Sequence, residues 1–166
     1  MKNLINFIKA SAVIGLLVGS FAYSYAEKQG HIEIKSTVNV IKTVMEDGKK
    51  VQKLLPATKV LPNTMLFYTN TFTNISDAPA DNIKLVNPIP KHTLYQTGSA
   101  QGENSDITFS VDEGKHWGKA EVLTVLDSAG NAIPATAKDY THIRWIYRKN
   151  LAPAEQQKVS FQAKLL

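Results

Sequence analysis

The chain has 166 residues, a formal net charge of +5 and no cysteine. A chain of this length suits one domain and can bury a core without a disulfide or metal staple, so a disulfide-built secreted scaffold is excluded. The positive charge is mild, and the lack of any nucleic-acid motif disfavours a nucleic-acid partner.

The N-terminus has the pattern of a secretory signal peptide. Lys2 and Lys9 flank a short polar stretch, an apolar run follows, and Ser24 and Ala26 are the small residues that precede a cut before Glu27. The alternative is an uncleaved anchor, but the run is short for a span of about 20 residues. We therefore expect an exported protein, in the periplasm, on the cell surface or secreted. The pattern does not decide among these compartments.

Residues 1–26 are thus interpreted as the signal peptide and residues 27–166 as a single domain. Lys2 and Lys9 account for two of the 19 basic residues, which leaves 17 against 14 acidic ones. That balance is weak evidence for any polyanionic partner. An exported domain without disulfides depends on its hydrophobic core for stability. This is more typical of a bacterial envelope protein than of a small secreted scaffold built on disulfides.

After Glu27, alternating apolar residues predict one strand after another. Asp47-Gly48 predicts a tight hairpin turn after the first strand, and the prolines at 88 and 90 stop the fourth. We find no amphipathic helix, and 136–140 would form one turn at most. About eight or nine short strands separated by turns indicate an all-β, antiparallel sandwich. The clearest predicted strands cover residues 31–44, 51–55, 64–74, 83–90, 105–111, 121–127, 142–147 and 158–166.

The order of these motifs resembles the bacterial surface "conserved repeat domain", also called domain of unknown function eleven. The matching pieces begin LPATKVLPNTMLFYTNTFTN, continue with ITFSVDEGKHW and end with THIRWIYRKNLAPAEQQKVSFQAKL. The resemblance covers roughly 38–166, and it implies an immunoglobulin-like β-sandwich in an envelope protein without implying an activity. Glycine is missing from three family turns, at 62–64, 74–76 and 151–154, which leaves their geometry open but keeps the strand order.

The stretch FSVDEGKHW contains the Ser-x-Asp-x-Gly-x-x-Trp pattern of the Asp-box hairpin found in glycan-processing propellers. Ser110 and Asp112 would bond to turn backbone, Gly114 would supply a permissive φ, and Trp117 would cover the apolar side. A propeller needs several blades, typically about 4–8. One copy in this chain therefore predicts a structural hairpin.

Other patterns do not support catalysis or metal binding. His31 and Glu33 would share a strand face, but two ligands do not make a zinc site, and we predict no metal and no cofactor. Ser110 has a His and an Asp nearby in sequence, but on the hairpin interpretation they serve the turn, and the Gly-x-Ser-x-Gly elbow is missing. The spacing of the acids at 106, 112, 113 and 121 does not indicate a glycosidase pair. We predict no catalytic residue.

The strand THIRWIYRK is the best candidate for a binding face. If Ile143, Trp145 and Tyr147 point into the core, then His142, Arg144 and Arg148 line the outside with Ile146. Such a basic stripe suits anionic glycan or lipid headgroups, although charged side chains also solvate ordinary sheet faces. The same two interpretations apply to Lys49, Lys50 and Lys53 near the first hairpin.

The function predicted from these patterns is a non-enzymatic structural or interaction module of the bacterial envelope. It would recognise an unidentified envelope or surface protein by its loops or by an edge strand. One alternative is a carbohydrate-binding module, which requires Trp117 to be exposed as a stacking platform. A second alternative is a hydrolase, which requires a pocket with converging acids or a Ser–His pair. Partner, ligand and oligomeric state stay open.

Overall fold

The computed structural model describes residues 31–166, and the predicted signal peptide lies outside this part of the chain. The described residues are all-β, as the alternation predicts, and every strand pairing among them is antiparallel. One turn of 3-10 helix, Ala120–Val122, interrupts the strands. The strands are β1 Ile32–Glu46, β2 Lys49–Pro56, β3 Met65–Asn74, β4 Lys84–Pro88, β5 Thr93–Tyr95, β6 Gln101–Gly102, β7 Ser105–Ser110, β8 Thr124–Leu126, β9 Ala132–Pro134, β10 His142–Tyr147 and β11 Gln156–Leu165.

These strands form two main sheets and a small ribbon. The large sheet has the order β2-β1-β3-β11-β5, with β6 also pairing with β11, and the small sheet has the order β4-β10-β7. The ribbon is the pair β8-β9. Both main sheets place alternate side chains in one shared apolar core.

Side-chain contacts show which strand of the small sheet lies over which strand of the large one. The ring of Trp145 on β10 lies 6.3 Å from that of Phe161 on β11. The rings of Tyr95 and Phe109 place β5 beneath β7 at 5.4 Å. At the other side, the Asn70 amide of β3 donates to the Asn87 side chain of β4 over 2.9 Å. Since β4 lies over β3, the strands β1 and β2 extend beyond the small sheet.

The core centres on Trp145, which is 0 % exposed. Its indole Nε1 donates to the Gln101 carbonyl at 3.0 Å, so the buried polar atom has a partner. On both sides of it, β10 alternates buried and half-buried residues, and β11 buries Val159, Phe161 and Ala163. The inward residues predicted for these two strands are therefore confirmed, with Leu165 half-buried at the chain end.

Two turns explain how the chain keeps its register. Asp47 and Gly48 both have positive φ, 45° and 74°, as a two-residue hairpin turn between right-twisted strands requires. Before β11, Ala154 has φ 61° and the Glu155 amide donates to the Ala152 carbonyl. This position, where the resembled family has glycine, therefore holds an L-residue in a left-handed conformation.

The structure also corrects parts of the strand prediction. Residues 31–166 form eleven strands, because β5, β6 and β9 are too short to show alternation. The predicted strand over 121–127 begins as the 3-10 turn and leaves only β8. On β1, Ile34 and Val38 share a face with core residues of β3 but stay 54 % and 38 % exposed, because no strand of the small sheet covers them.

Candidate functional site

The Asp-box-like stretch folds as a tight turn around the Ser110 hydroxyl, which belongs to a fully buried residue. This oxygen accepts from the backbone N–H groups of Gly114 at 2.9 Å and Asp112 at 3.2 Å. It donates to the Asp112 carboxylate at 2.7 Å. One hydroxyl thus satisfies two turn amides that would otherwise lack an acceptor.

The Asp112 carboxylate completes the turn from its other end. One oxygen accepts from the His116 backbone N–H at 2.9 Å, and the other lies 2.6 Å from His116 Nδ1. These bonds, with that of Ser110, hold the pKa of the Asp112 carboxyl well below its usual range, the backbone N–H of His116 being the largest cause. Asp112 is therefore an ionised structural acceptor.

The turn is attached to the neighbouring strand β10 at its start. The Glu113 N–H donates to the Thr141 hydroxyl at 3.0 Å, and that hydroxyl donates to the Ser110 carbonyl at 3.1 Å. On the far side of the turn, Gly118 and Phe109 exchange backbone hydrogen bonds. These contacts fix Trp117, the residue before Gly118, against the outer face of β10.

Trp117 is half-buried and is covered by side chains from β10. The Arg144 guanidinium carbon lies 4.5 Å from the centre of the indole, and the His142 ring meets it edge-on at 6.4 Å. Arg144 Nε also donates to the Thr108 hydroxyl on β7 at 3.1 Å. Trp117 is thus a support for Arg144, and one of its ring faces is not free to stack on a sugar.

The three residues predicted as a binding face do lie on one side of β10, but they do not form a uniform stripe. Arg148 is paired with Asp106, whose carboxylate accepts from both Nε and one terminal amino group. His142 lies between Trp117 and Thr141, with its Nδ1 at 3.1 Å from the Thr141 hydroxyl. Only Arg144 combines a fixed position with no acidic partner among residues 31–166.

The residues considered for catalysis are brought together in an order that does not suit nucleophilic attack. Ser110, Asp112 and His116 form a chain with the carboxylate in the middle, so the imidazole bonds to the acid and not to the serine. Ser110 is also buried. This corrects any interpretation of the stretch as a Ser–His pair.

The residues considered for metal binding stay apart from further ligands. Glu33, the predicted strand neighbour of His31, forms an ion pair with Lys35 at 3.1 Å. Within residues 31–166 no group of three or more potential ligands has the arrangement of a metal site.

A cavity of about 330 Å³ lies beside the outer end of β7, and sequence reasoning missed it. Its wall is formed by the aromatic rings of Tyr95 on β5, Phe109 on β7 and Tyr140 in the loop before β10. Lys119 and Glu121 also line it. Its lining comes from four separate segments, so no local pattern in the chain marks it. The serine and histidine of the turn are not among its lining residues.

No helix in the described part of the chain is long and apolar enough to cross a membrane. Comparison of the chain with protein-family models, curated proteins and solved structures found no match.

Proposed function

We propose that this protein is an exported, non-enzymatic interaction module of the bacterial envelope. Its domain is an immunoglobulin-like β-sandwich of the conserved-repeat type, and it binds a partner protein by adding a strand of that partner to the edge of β4. The observation that carries the proposal is the uncovered strip of apolar side chains on β1, next to this edge.

The strip lies on the core side of the large sheet. Ile34 pairs with Phe72 and Val38 pairs with Tyr68, and both partners on β3 point toward the small sheet. Because cross-strand partners share a face, Ile34 and Val38 point the same way. They stay exposed since β4, the last strand of the small sheet, lies over β3.

The edges of the two sheets differ in how open they are to pairing. The outer strand β2 carries Lys49, Lys50 and Lys53, charges that discourage pairing with another strand. The β7 edge is partly occupied by the backbone of Gly118. Among the strands of residues 31–166, β4 pairs only with β10, and its single charged residue is Lys84.

A strand added beside β4 would lie about 4.8 Å farther out, which is the spacing between β3 and β1. It would therefore lie above β1 and cover Ile34 and Val38. Backbone hydrogen bonds would provide affinity, and burial of each partly exposed aliphatic chain would add about 1 kcal/mol. This geometry favours the edge over the loops as the recognition element.

The experiment is site-specific photo-crosslinking in the producing cells, with benzoylphenylalanine at position 34. The matched control is position 41, where Ile41 is an exposed apolar residue of the same strand on the opposite face. We expect a discrete crosslinked product from position 34 only, and loss of that product when Val38 is replaced by Asp. Equal products from both positions, or none from position 34, would contradict the proposal.

Hydrogen exchange of the purified complex then identifies the mode of binding. Strand addition slows exchange of the backbone amides of β4 that face the edge, whereas docking of side chains on β1 alone leaves them unchanged. Exchange unchanged over residues 84–88 would therefore reject strand addition even if position 34 crosslinks.

A further inference from the structure

We propose that Arg144 is an anion-binding residue whose guanidinium takes a carboxylate of an acidic side chain on a partner protein. This site is on the outer face of the small sheet, and it does not depend on strand addition at β4. The argument rests on how Arg144 is held, on which of its groups are used, and on the charge around it.

Arg144 is held by two different elements. Its guanidinium lies over the Trp117 indole, and its Nε donates to Thr108 on the neighbouring strand. Trp117 in turn is positioned by the turn around Ser110, so the support is itself fixed. A long side chain that is already ordered loses less conformational freedom when a ligand binds.

The bonding groups of Arg144 that remain are the ones that recognise a carboxylate. A guanidinium has five N–H donors, and the hydrogen bonds within residues 31–166 use only the one on Nε. The two terminal amino groups can donate in parallel to the two oxygens of one carboxylate. The nearby indole and sheet also keep water from one side of the group.

Arg148 provides an internal comparison, because it directly follows the same strand. Its guanidinium is paired with Asp106, one carboxylate oxygen of which accepts from Nε and from a terminal amino group. Arg148 is thus an arginine whose guanidinium has an acidic partner. Arg144 has no such partner among the described residues. Of the other basic side chains on this face, Arg148 is paired with Asp106, and Lys84 lies one pairing row away from Arg144, opposite Ile146.

The surroundings favour a singly charged, planar ligand group. The strand neighbour of Arg144 on β4 is Val86, which is 51 % exposed, and Ile146 follows on β10. One guanidinium with apolar neighbours matches the charge and shape of a carboxylate, whereas a phosphate dianion is better matched by several cations. An acidic side chain on a protein surface presents such a group together with apolar contacts.

The experiment follows the arginine Nε–H and tryptophan Nε1–H signals by NMR while sodium acetate replaces sodium chloride at constant ionic strength. We expect saturable shifts of the Arg144 and Trp117 signals that are several-fold larger than the shift of Arg148. Arg144→Lys, which keeps the charge but not the fork, should remove the saturable response of Trp117, and Arg148→Lys should leave it intact. An Arg144 response no larger than that of Arg148 would overturn the proposal.

Two further arms test the class of ligand. Inorganic phosphate that binds more tightly than acetate would contradict the assignment of a carboxylate. Sedimentation with phosphatidylglycerol vesicles, compared with phosphatidylcholine vesicles, tests a membrane surface in place of a protein. Binding to the anionic vesicles that is lost in Arg144→Lys would reject the protein partner, whereas no difference between the vesicles supports it.

Discussion

Replacing Ser110 by alanine tests whether one buried hydroxyl organises the turn that supports Trp117. The substitution removes the acceptor of two backbone N–H groups, those of Gly114 and Asp112, in a residue that is 0 % exposed. A hydrogen bond lost in a buried place costs about 1–1.5 kcal/mol, so we expect a loss of about 2–3 kcal/mol in the free energy of unfolding. The bond to the Asp112 carboxylate is not counted, because that side chain reaches solvent.

The assay is urea unfolding followed by far-UV circular dichroism, with the slope m checked for equality between variants. The expected loss lowers the melting temperature by roughly 5–10 °C. Ser105→Ala is the matched control, because this serine is on the same strand and makes a single bond, to the Glu103 carbonyl at 3.2 Å. A loss of less than about 1 kcal/mol for Ser110→Ala, equal to that of the control, would refute the reasoning.

Four further results are expected. Gly102→Ala should cost about 1–3 kcal/mol in urea unfolding, because the new Cβ would lie 2.9 Å from the buried Trp145 ring; an unchanged midpoint would contradict the packing. Ala154→Gly should stabilise the protein by about 0.5–1 kcal/mol, since it relieves an L-residue at φ 61°, and a lower midpoint would contradict the left-handed turn. The pKa of the Asp112 carboxyl is below the ordinary 3.8, so its ionised form contributes stability above that pH, and this stability is lost as pH falls through the folded pKa. The melting temperature should therefore fall on acidification below about pH 4, and it should fall less steeply in Asp112→Asn. Equal slopes in both proteins would show that the turn does not stabilise the carboxylate. In quenching of fluorescence, Trp145→Phe leaves the emission of Trp117, which iodide should quench more than caesium does because Trp117 lies beneath a cation. Trp117→Phe leaves the emission of Trp145, which should be shielded from both quenchers because that indole is 0 % exposed. The reverse order would contradict the placement of both rings.

Alternation along the chain predicted the strands whose side chains meet a core on one face. It identified β10 and β11 with their inward residues, and Asp47-Gly48 identified the first hairpin turn because both positions need positive φ. β5, β6 and β9 were missed because strands of two or three residues leave no period to detect. The pairing of β5 and β6 depends on β11, which lies far along the chain.

Alternation states which side chains share a face, but not whether another layer covers that face. Ile34 alternates along β1 with Ile32 and points to the core side, yet it is exposed because the small sheet ends at β4. The contact by which Trp117 supports Arg144 is a second feature that alternation does not indicate. The hairpin of Trp117 was evident from local spacing, but its contact with Arg144 joins residues 27 positions apart and has no local pattern.

The polar contacts between β3 and β4 have a consequence for how freely the two layers can move. The Ser36 hydroxyl on β1 donates to the side-chain oxygen of Asn70 at 2.7 Å, and the side-chain amide of Asn70 donates to the side-chain oxygen of Asn87. Asn70 is buried, so sliding the small sheet sideways toward β1 would separate these amides inside an apolar layer and leave each without a partner, at about 1–3 kcal/mol per group. These hydrogen bonds therefore hold the two sheets in one relative position. Sliding of the small sheet over β3 is therefore an unfavourable way to cover Ile34 and Val38.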